Sequence, residues 1–420
     1  MSEPAGARRG VSAADRASTP GWEQTGVVCF TRFLWRDRFE TSRHHLMRAL
    51  SRRCDVVYVE PAPNLGRIAQ GLVHDLERLR LELARPDDDG RVRVCRPVLP
   101  QLPLEMFVGS PRLYDHVCRA QGRRLGRLGR REIGTPERTI AFNSFYPARA
   151  AGMIAGLRPD LDVYHCSDDV AELSQRMTTA HGAALERAER AAVAQADLVL
   201  ASAPALVEKL TAINPHTYWL PNGVDLTTFA PALEAGAEPA DMPPGPRLLV
   251  VGNLEHGRQD VVDLDLLAAI AEGEPTWSIV VVGEAPAAGN ARRRLGHLPN
   301  VHLPGLRPRS ELAAYMRAAD VCLIPYVTTA LTRSISPLKL NEYLAAGRPV
   351  VSTPFSSALD GYEDCVAVVP DHGFLDAVRS VLADEGRDAP AAVECRLAKA
   401  RVNSWEARAD RVAELIEEVW

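Results

Sequence analysis

Short apolar runs rich in Val, Ile and Leu recur along the chain, separated by stretches in which apolar residues return every three or four positions. Short runs bounded by turn residues predict strands, and the spaced pattern between them predicts amphipathic helices. In the second half the runs are RLLVV at Arg247, WSIVVV at Trp277, VHL at Val301, VCLI at Val321, PVV at Pro349 and VAVV at Val366. Helical patterns begin near Val262, Ala288, Ser310, Pro337 and His372. One helix per crossover is the signature of βαβ units and a doubly wound parallel sheet. The first half is less regular but alike, with GVVCF at Gly26, DVVYV at Asp55, TIAF at Thr139, LDVYH at Leu161, DLVLAS at Asp197 and TYWL at Thr217. Helices are predicted over Ser42–Ser51, Pro147–Gly156 and Ala183–Ala196.

These patterns divide the chain into a disordered tail (1–24), a first α/β domain (25–230), a linker (231–246), a second α/β domain (247–402) and a closing helix (403–420). The linker PALEAGAEPADMPPGP has Pro, Gly and acidic residues without a period. The closing helix has Asn403 as its expected cap and Trp405, Val412, Leu415, Ile416 and Val419 at helical spacing. Two Rossmann-like domains joined by one linker imply a central cleft, with ligands beyond the carboxyl ends of the strands.

The 420 residues exceed one ordinary core, and 46% hydrophobic with 25% charged residues fits a globular protein. A net charge of -5 gives no global attraction to nucleic acid, so no such partner is expected. The 8 cysteines are scattered without a C-x-x-C pair, which points to reduced thiols rather than a zinc site. The N-terminal stretch lacks a signal-peptide apolar region, and no run approaches the ~18 apolar residues that a membrane span needs. The expected location is cytoplasmic, with any membrane contact peripheral at the inner face.

One segment concentrates chemistry. In ISPLKLNEYLAAGRPVV, Ser336 suits an N-cap and Pro337 a first helical position, and Gly347 stops the helix. The first-turn N–H groups of Leu338 and Lys339, together with the helix dipole, favour an anion there. The Lys339 ammonium suits a diphosphate, and Glu342, one turn deeper, could accept hydrogen bonds from both ribose hydroxyls. From spacing alone an ordinary capped helix with a surface Lys and Glu stays open.

Other candidates sit at strand ends. Gly252 and Asn253 follow the first strand of the second domain, where a glycine allows close backbone approach or simply makes a turn. Gly283 with Glu284, and Pro325 with Tyr326, end two further strands and would face a nucleotide base. In VYHCSDDV, His165 and Asp169 follow a strand and are candidate cleft residues for catalysis, while Asp168 suits a helix cap. Arg36 and Arg38 follow the first strand and could hold donor phosphate or an anionic acceptor. Asp263 and Asp265 form a D-x-D and Asp87–Asp89 an acidic triplet, but isolated carboxylates are more often capping or solvated than metal ligands. The stretch from Pro111 to Glu132 reads as a basic amphipathic helix that could touch an anionic membrane, although its three glycines weaken a helix.

SPLKLNEYLAAGRPVVST resembles the donor-binding segment of GT-B glycosyltransferases of family four type, particularly the branch with teichuronic-acid glycosyltransferases. The resemblance continues through VYHCSDD, ERAERAAVAQADLVLASAPALVEKL, LPNGVDLTTF, LLVVGNL and VDLDLL. It implies a nucleoside-diphosphate-sugar donor, a glycan, lipid-linked or small-molecule acceptor, a retaining reaction, and no metal or other cofactor. It also implies a diphosphate contact near Arg258. The family's ribose-binding glutamate falls on Glu342, but its sugar-contacting glutamate falls on Ser334. Two rivals follow: a catalytically silent nucleotide-sugar or glycan-binding protein, and a nucleotide-sugar epimerase. An oxidoreductase is disfavoured because no strand is followed by G-x-G-x-x-G.

Overall fold

A computed structural model describes residues 21–36, 40–63, 88–98, 100–175, 177–234, 236–252, 254–256, 259–285 and 289–420. Every apolar run named above becomes a strand. β1 (Thr25–Thr31), β2 (Asp55–Val59), β3 (Val92–Cys95), β4 (Arg138–Ser144), β5 (Leu161–Cys166), β6 (Leu198–Ala201) and β7 (Thr217–Trp219) form one sheet in the order 3-2-1-4-5-6-7. β8 (Arg247–Val251), β11 (Ser278–Val282), β12 (Val301–His302), β13 (Val321–Ile324), β14 (Val350–Ser352) and β15 (Val366–Val368) form a second, in the order 12-11-8-13-14-15. The strand pairs within it are parallel. Between β8 and β11 lies a small antiparallel hairpin, β9 (Glu255–His256) with β10 (Gln259–Asp260).

The helices are α1 (Ser42–Leu50), α2 (Pro111–Ile133), α3 (Ala150–Leu157), α4 (Val170–Ser174), α5 (Thr179–Gln195), α6 (Pro204–Thr211) and α7 (Leu226–Phe229). They continue with α8 (Leu264–Gly273), α9 (Asn290–Leu295), α10 (Arg309–Ala318), α11 (Ala330–Arg333), α12 (Leu338–Ala345), α13 (Asp371–Ala383), α14 (Pro390–Val402) and α15 (Trp405–Val419). Edge strand β3 and helix α14 were not anticipated. In RVRVC the arginines break the apolar run, as suits a strand paired on one side only.

The chain divides into two compact units: Met1–His165 with Met177–Leu198 and Trp420, and Cys166–Arg176 with Val199–Val419. This division differs from the expected boundary at 231–246, because that segment is not a free tether. Glu238 pairs with Arg247 at 2.9 Å, Asp241 accepts from Tyr315 at 2.6 Å and pairs with Arg307, and Arg317 donates to the carbonyls of Pro231 and Ala237. The stretch is strapped to α10 and β8 within the second unit.

The glycines of α2 also have a different role from the one expected. Gly122 and Gly126 face Gly152, Met153 and Gly156 of α3, and a Cβ on either would collide with α3 backbone. Their helix-propensity cost of ~1 kcal/mol each is offset by a close helix–helix contact. In α15 the cap is Ser404, whose hydroxyl accepts from the Ala407 N–H at 3.2 Å, while Asn403 donates back to the Lys399 carbonyl. Of the expected apolar stripe, Trp405, Val412, Leu415 and Ile416 are buried and Val419 is half-buried.

Candidate active site

In the second sheet the chain leaves β8 on one side through β11 and β12 and returns on the other through β13. The carboxyl ends of β11, β8 and β13 therefore stand side by side at a reversal of strand order, the place where open parallel sheets receive ligands. Gly252 follows β8 at φ 144°, a backbone conformation that favours glycine, and its N–H donates to Val282 at the end of β11 (3.0 Å). Gly283 and Glu284 follow β11; Pro325 and Tyr326 follow β13. The Pro325 carbonyl accepts from the Asp263 N–H at 2.7 Å and the Tyr326 carbonyl from Thr353 Oγ1 at 2.6 Å, so these loops are braced. Asn253 and Arg258 lie outside the described residues.

Helix α12 carries the predicted donor segment. Its cap position is Pro337, not Ser336, with Leu338 the first helical residue. Ser336 is drawn elsewhere: its Oγ accepts from the Asn222 N–H at 2.9 Å and its carbonyl from Asn222 Nδ2 at 2.8 Å. Asn222 in turn gives its carbonyl to Asn341 Nδ2 at 3.1 Å. Three hydrogen bonds from one asparagine thus set how the chain enters α12. Farther along the helix, Tyr343 Oη accepts from the Val251 N–H at 2.8 Å and ties α12 to the end of β8, next to Gly252.

The charged pair of α12 is not a surface pair. Glu342 is fully buried, Lys339 Nζ lies 2.7 Å from its Oε2, and Arg309 Nη1 lies 3.0 Å from its Oε1. Arg309 opens α10 and its guanidinium sits over the Phe229 ring, 5.2 Å from the centroid. Burial, then the neighbouring Glu342 charge, pushes the Tyr326 hydroxyl up to about 12. Two cations around one buried carboxylate at a helix N-terminus make a locally positive site that can exchange partners with an incoming anion.

The first-domain candidates are placed differently. His165 is 2% exposed, with Nδ1 3.4 Å from Ser144 Oγ and its ring against Phe142. Burial, then the Arg43 charge, lowers its pKa to about 3, so the imidazole is neutral. Asp169 and not Asp168 is the helix cap: its Oδ1 accepts from the Ala171 N–H at 2.8 Å and pairs with Lys209 at 2.6 Å. His165 and Asp169 belong to different units. Arg36 is exposed, and Arg38 lies outside the described residues.

The acidic motifs are engaged. Asp263 caps α8 through the Leu266 N–H, Asp265 pairs with Arg294 at 2.6 Å, Asp88 accepts from the Val94 N–H, and Asp89 pairs with Arg48 at 2.9 Å. Asp87 lies outside the described residues. Ser334, at the expected sugar contact, is buried and donates to the Ala330 carbonyl of its own short helix at 3.3 Å.

Residue reasoning missed Asn222, Arg309 and Tyr343. Asn222 lies in the LPNGVDLTTF stretch and could have been singled out by its Asn-Gly turn signal. Nothing in the local pattern marks Arg309 or Tyr343, which reach the site through tertiary packing.

Residues 245–384 match the family model described as "Glycosyl transferases group 1". The chain is also 28% identical over 259 residues to a Bacillus subtilis (strain 168) protein named as a teichuronic acid biosynthesis glycosyltransferase, TuaH. That match covers 59% of this chain and 64% of the relative. Among solved structures, sucrose-phosphate synthase from Thermosynechococcus elongatus aligns at TM-score 0.64 and 18% identity, covering 94% of this chain and 99% of that one. A trehalose-6-phosphate structure from E. coli bound with UDP-2-fluoro glucose aligns at 0.64 and 12%, covering 93% and 98%. A trehalose 6-phosphate synthase from Burkholderia multivorans aligns at 0.63 and 14%, covering 94% and 97%. The fold is GT-B, built on two Rossmann-like parallel sheets, and the second sheet lies within the residues that match the group 1 glycosyl transferase model.

Proposed function

We propose that this protein transfers a sugar from a nucleoside-diphosphate sugar to an acceptor hydroxyl, in the synthesis of a cell-surface glycan or a secondary metabolite. The observation that carries this reading is the Lys339–Glu342–Arg309 cluster at the start of α12, tied by Tyr343 to the strand end that bears Gly252. In this reading the donor diphosphate draws Lys339 away from Glu342, and the freed carboxylate oxygen accepts from the ribose hydroxyls while Arg309 stays paired with the other oxygen. Gly252, Gly283, Glu284, Pro325 and Tyr326 border the nucleotide, and Arg258 adds a phosphate contact.

As the bond to the sugar breaks, charge grows on the departing diphosphate, where Lys339 and the α12 N–H groups would stabilise it. No metal is assigned a role, since the D-x-D carboxylates are already used as a cap and an ion pair. The retaining outcome rests on the family resemblance, and the name of the Bacillus subtilis relative favours a glycan acceptor. The proposed location is the cytoplasmic side of the membrane; among the described residues no helix is long and apolar enough to cross it.

A panel of nucleotide sugars, assayed for binding and for nucleotide release, tests the reading. Lys339→Ala should lower turnover by about 100-fold, the loss seen when one transition-state charge partner is removed. Glu342→Ala should weaken donor binding, and unchanged affinity would sink the ribose assignment. Because Ser334 is turned into its own helix, a second reading is a silent nucleotide-sugar binder: it predicts donor binding without release.

A further inference from the structure

We propose that Asp364, Cys365 and Cys395 form a binding site for a divalent cation of the zinc class. The inference is independent of the donor site, because none of these residues is assigned a role there, and it gives the cation no part in sugar transfer.

Six of the 8 cysteines are buried, and the two that are half-buried, Cys365 and Cys395, come together although they lie far apart in the chain. Their Sγ atoms and a carboxylate oxygen of Asp364 all lie within 4.8 Å of one another. Cys395 Sγ stands 3.9 Å from Asp364 Oδ2 and 3.9 Å from the Asp364 carbonyl oxygen. With metal–sulfur and metal–oxygen bonds of about 2.3 and 2.0 Å, tetrahedral donors stand about 3.5–3.8 Å apart, so a shift of roughly 1 Å closes the set. The Asp364 side chain is 61% exposed and has room to make that shift.

The ligands come from two elements. Cys395 lies on α14, one turn before Lys399 on the same face. Asp364 and Cys365 lead into β15 on a loop that hydrogen bonds fix: the Tyr362 carbonyl accepts from the N–H groups of Cys365 and Val366, and Tyr362 Oη donates to Asn341 of α12 at 3.1 Å. A set drawn from separate elements has no C-x-x-C spacing, so the order of cysteines along the chain does not reveal it. Lys399 Nζ is 3.8 Å from Asp364 Oδ1, beyond hydrogen-bond range, and 5.5 Å from the Tyr362 ring centroid. It is the charge that an incoming cation displaces.

Donor chemistry selects the ion. Two sulfurs disfavour magnesium and calcium, which take oxygen ligands, and a carboxylate oxygen beside them favours zinc over the softer cuprous ion. Water would fill the fourth position. A bound ion would tie α14 to the loop before β15 and, through Tyr362, to α12.

The test titrates the full chain, reduced with a phosphine, with cobalt(II) as a spectroscopic stand-in for zinc. One equivalent should produce thiolate-to-cobalt charge-transfer absorption and the intense visible bands of a tetrahedral site, and zinc should abolish both. Zinc should also raise the melting temperature of the wild type. Cys365→Ser with Cys395→Ser should lose the absorption and the thermal shift. Because Asp364 is exposed, Asp364→Asn keeps the fold; it should weaken zinc at least about 10-fold, the loss that follows even from altering a partner outside the ligand shell. Lys399→Gln should tighten zinc by up to about fivefold, the worth of one exposed charge contact. No thiolate-to-cobalt absorption in the wild type, or absorption that the double cysteine variant retains, overturns the proposal. So does a stoichiometry of half an ion per chain, which would mean a site formed between two chains. Failure to take up cobalt, together with loss of two free thiols on treatment with oxidised glutathione, would overturn it in favour of a disulfide.

Discussion

The loops that follow β1 and β8 occupy equivalent places at the ends of the first strands of two parallel sheets, yet they are built for opposite purposes. After β8, Gly252 sits at φ 144°, and among the described residues beyond its chain neighbours no atom lies within 4 Å of where a Cβ would stand. The space is open, and the backbone can approach a ligand. After β1, Trp35 donates its N–H to the buried Glu60 at 2.6 Å, packs its ring on Tyr58 and His44, and donates from Nε1 to Asp89. Arg96 closes the cluster with an ion pair to Glu60. One strand end is vacated and the other filled with aromatic rings and a buried ion pair. Two Rossmann-like sheets therefore offer two equivalent strand ends, and side-chain choice decides which one is filled.

The largest expected effect comes from emptying the filled end. Glu60→Ala removes the carboxylate that pairs with Arg96 and accepts from the Trp35 N–H, which should cost about 3–5 kcal/mol, as for other broken buried ion pairs. Thermal unfolding should move down strongly while donor binding, proposed for the second unit, stays unchanged; a loss of donor binding with intact stability would break the comparison. A smaller effect is expected from Gly252→Ala. An alanine meets no clash there, but the positive φ costs about 1–3 kcal/mol. Donor titration should show affinity reduced by about tenfold, which corresponds to 1.4 kcal/mol.

A further effect sharpens the contrast through pH. Burial, then the nearby Asp197 charge, raises the Asp162 pKa from 3.8 to about 7 in β5. Its contribution to stability is full below pH 3.8 and is lost as pH rises through about 7. His165 works the other way: with its pKa lowered to about 3, its contribution is present above pH 6.5 and lost as pH falls toward 3. Asp162→Asn should remove the fall in stability between pH 3.8 and about 7 and leave the His165 loss toward pH 3 in place, as read from melting temperatures between pH 3 and pH 9.

Much of the fold was legible because its cues are local. The runs RLLVV, WSIVVV and VCLI form strands buried throughout except at Arg247 and Trp277, and Gly347 and the prolines mark where α12 must stop. The edge strand β3 was missed because arginines interrupt its apolar run, and the tie of 231–246 to α10 was missed because ion pairs leave no period. In the candidate site, Lys339 and Glu342 were readable from helical spacing and resemblance. The same spacing cues misassigned the caps: Ser336 and Asn403 were expected to cap helices, and other partners claimed both.

The sequence by itself determined two parallel α/β sheets and a helix whose N-terminus pairs a lysine with a glutamate, because strand length, helix period and stop residues act within a few positions. Only the tertiary structure decided that Glu342 is buried between Lys339 and Arg309, that Asn222 and Tyr343 set α12 against β8, and that His165 is a neutral core residue. Those outcomes depend on desolvation and on partners tens to more than a hundred residues away, and no local pattern records either.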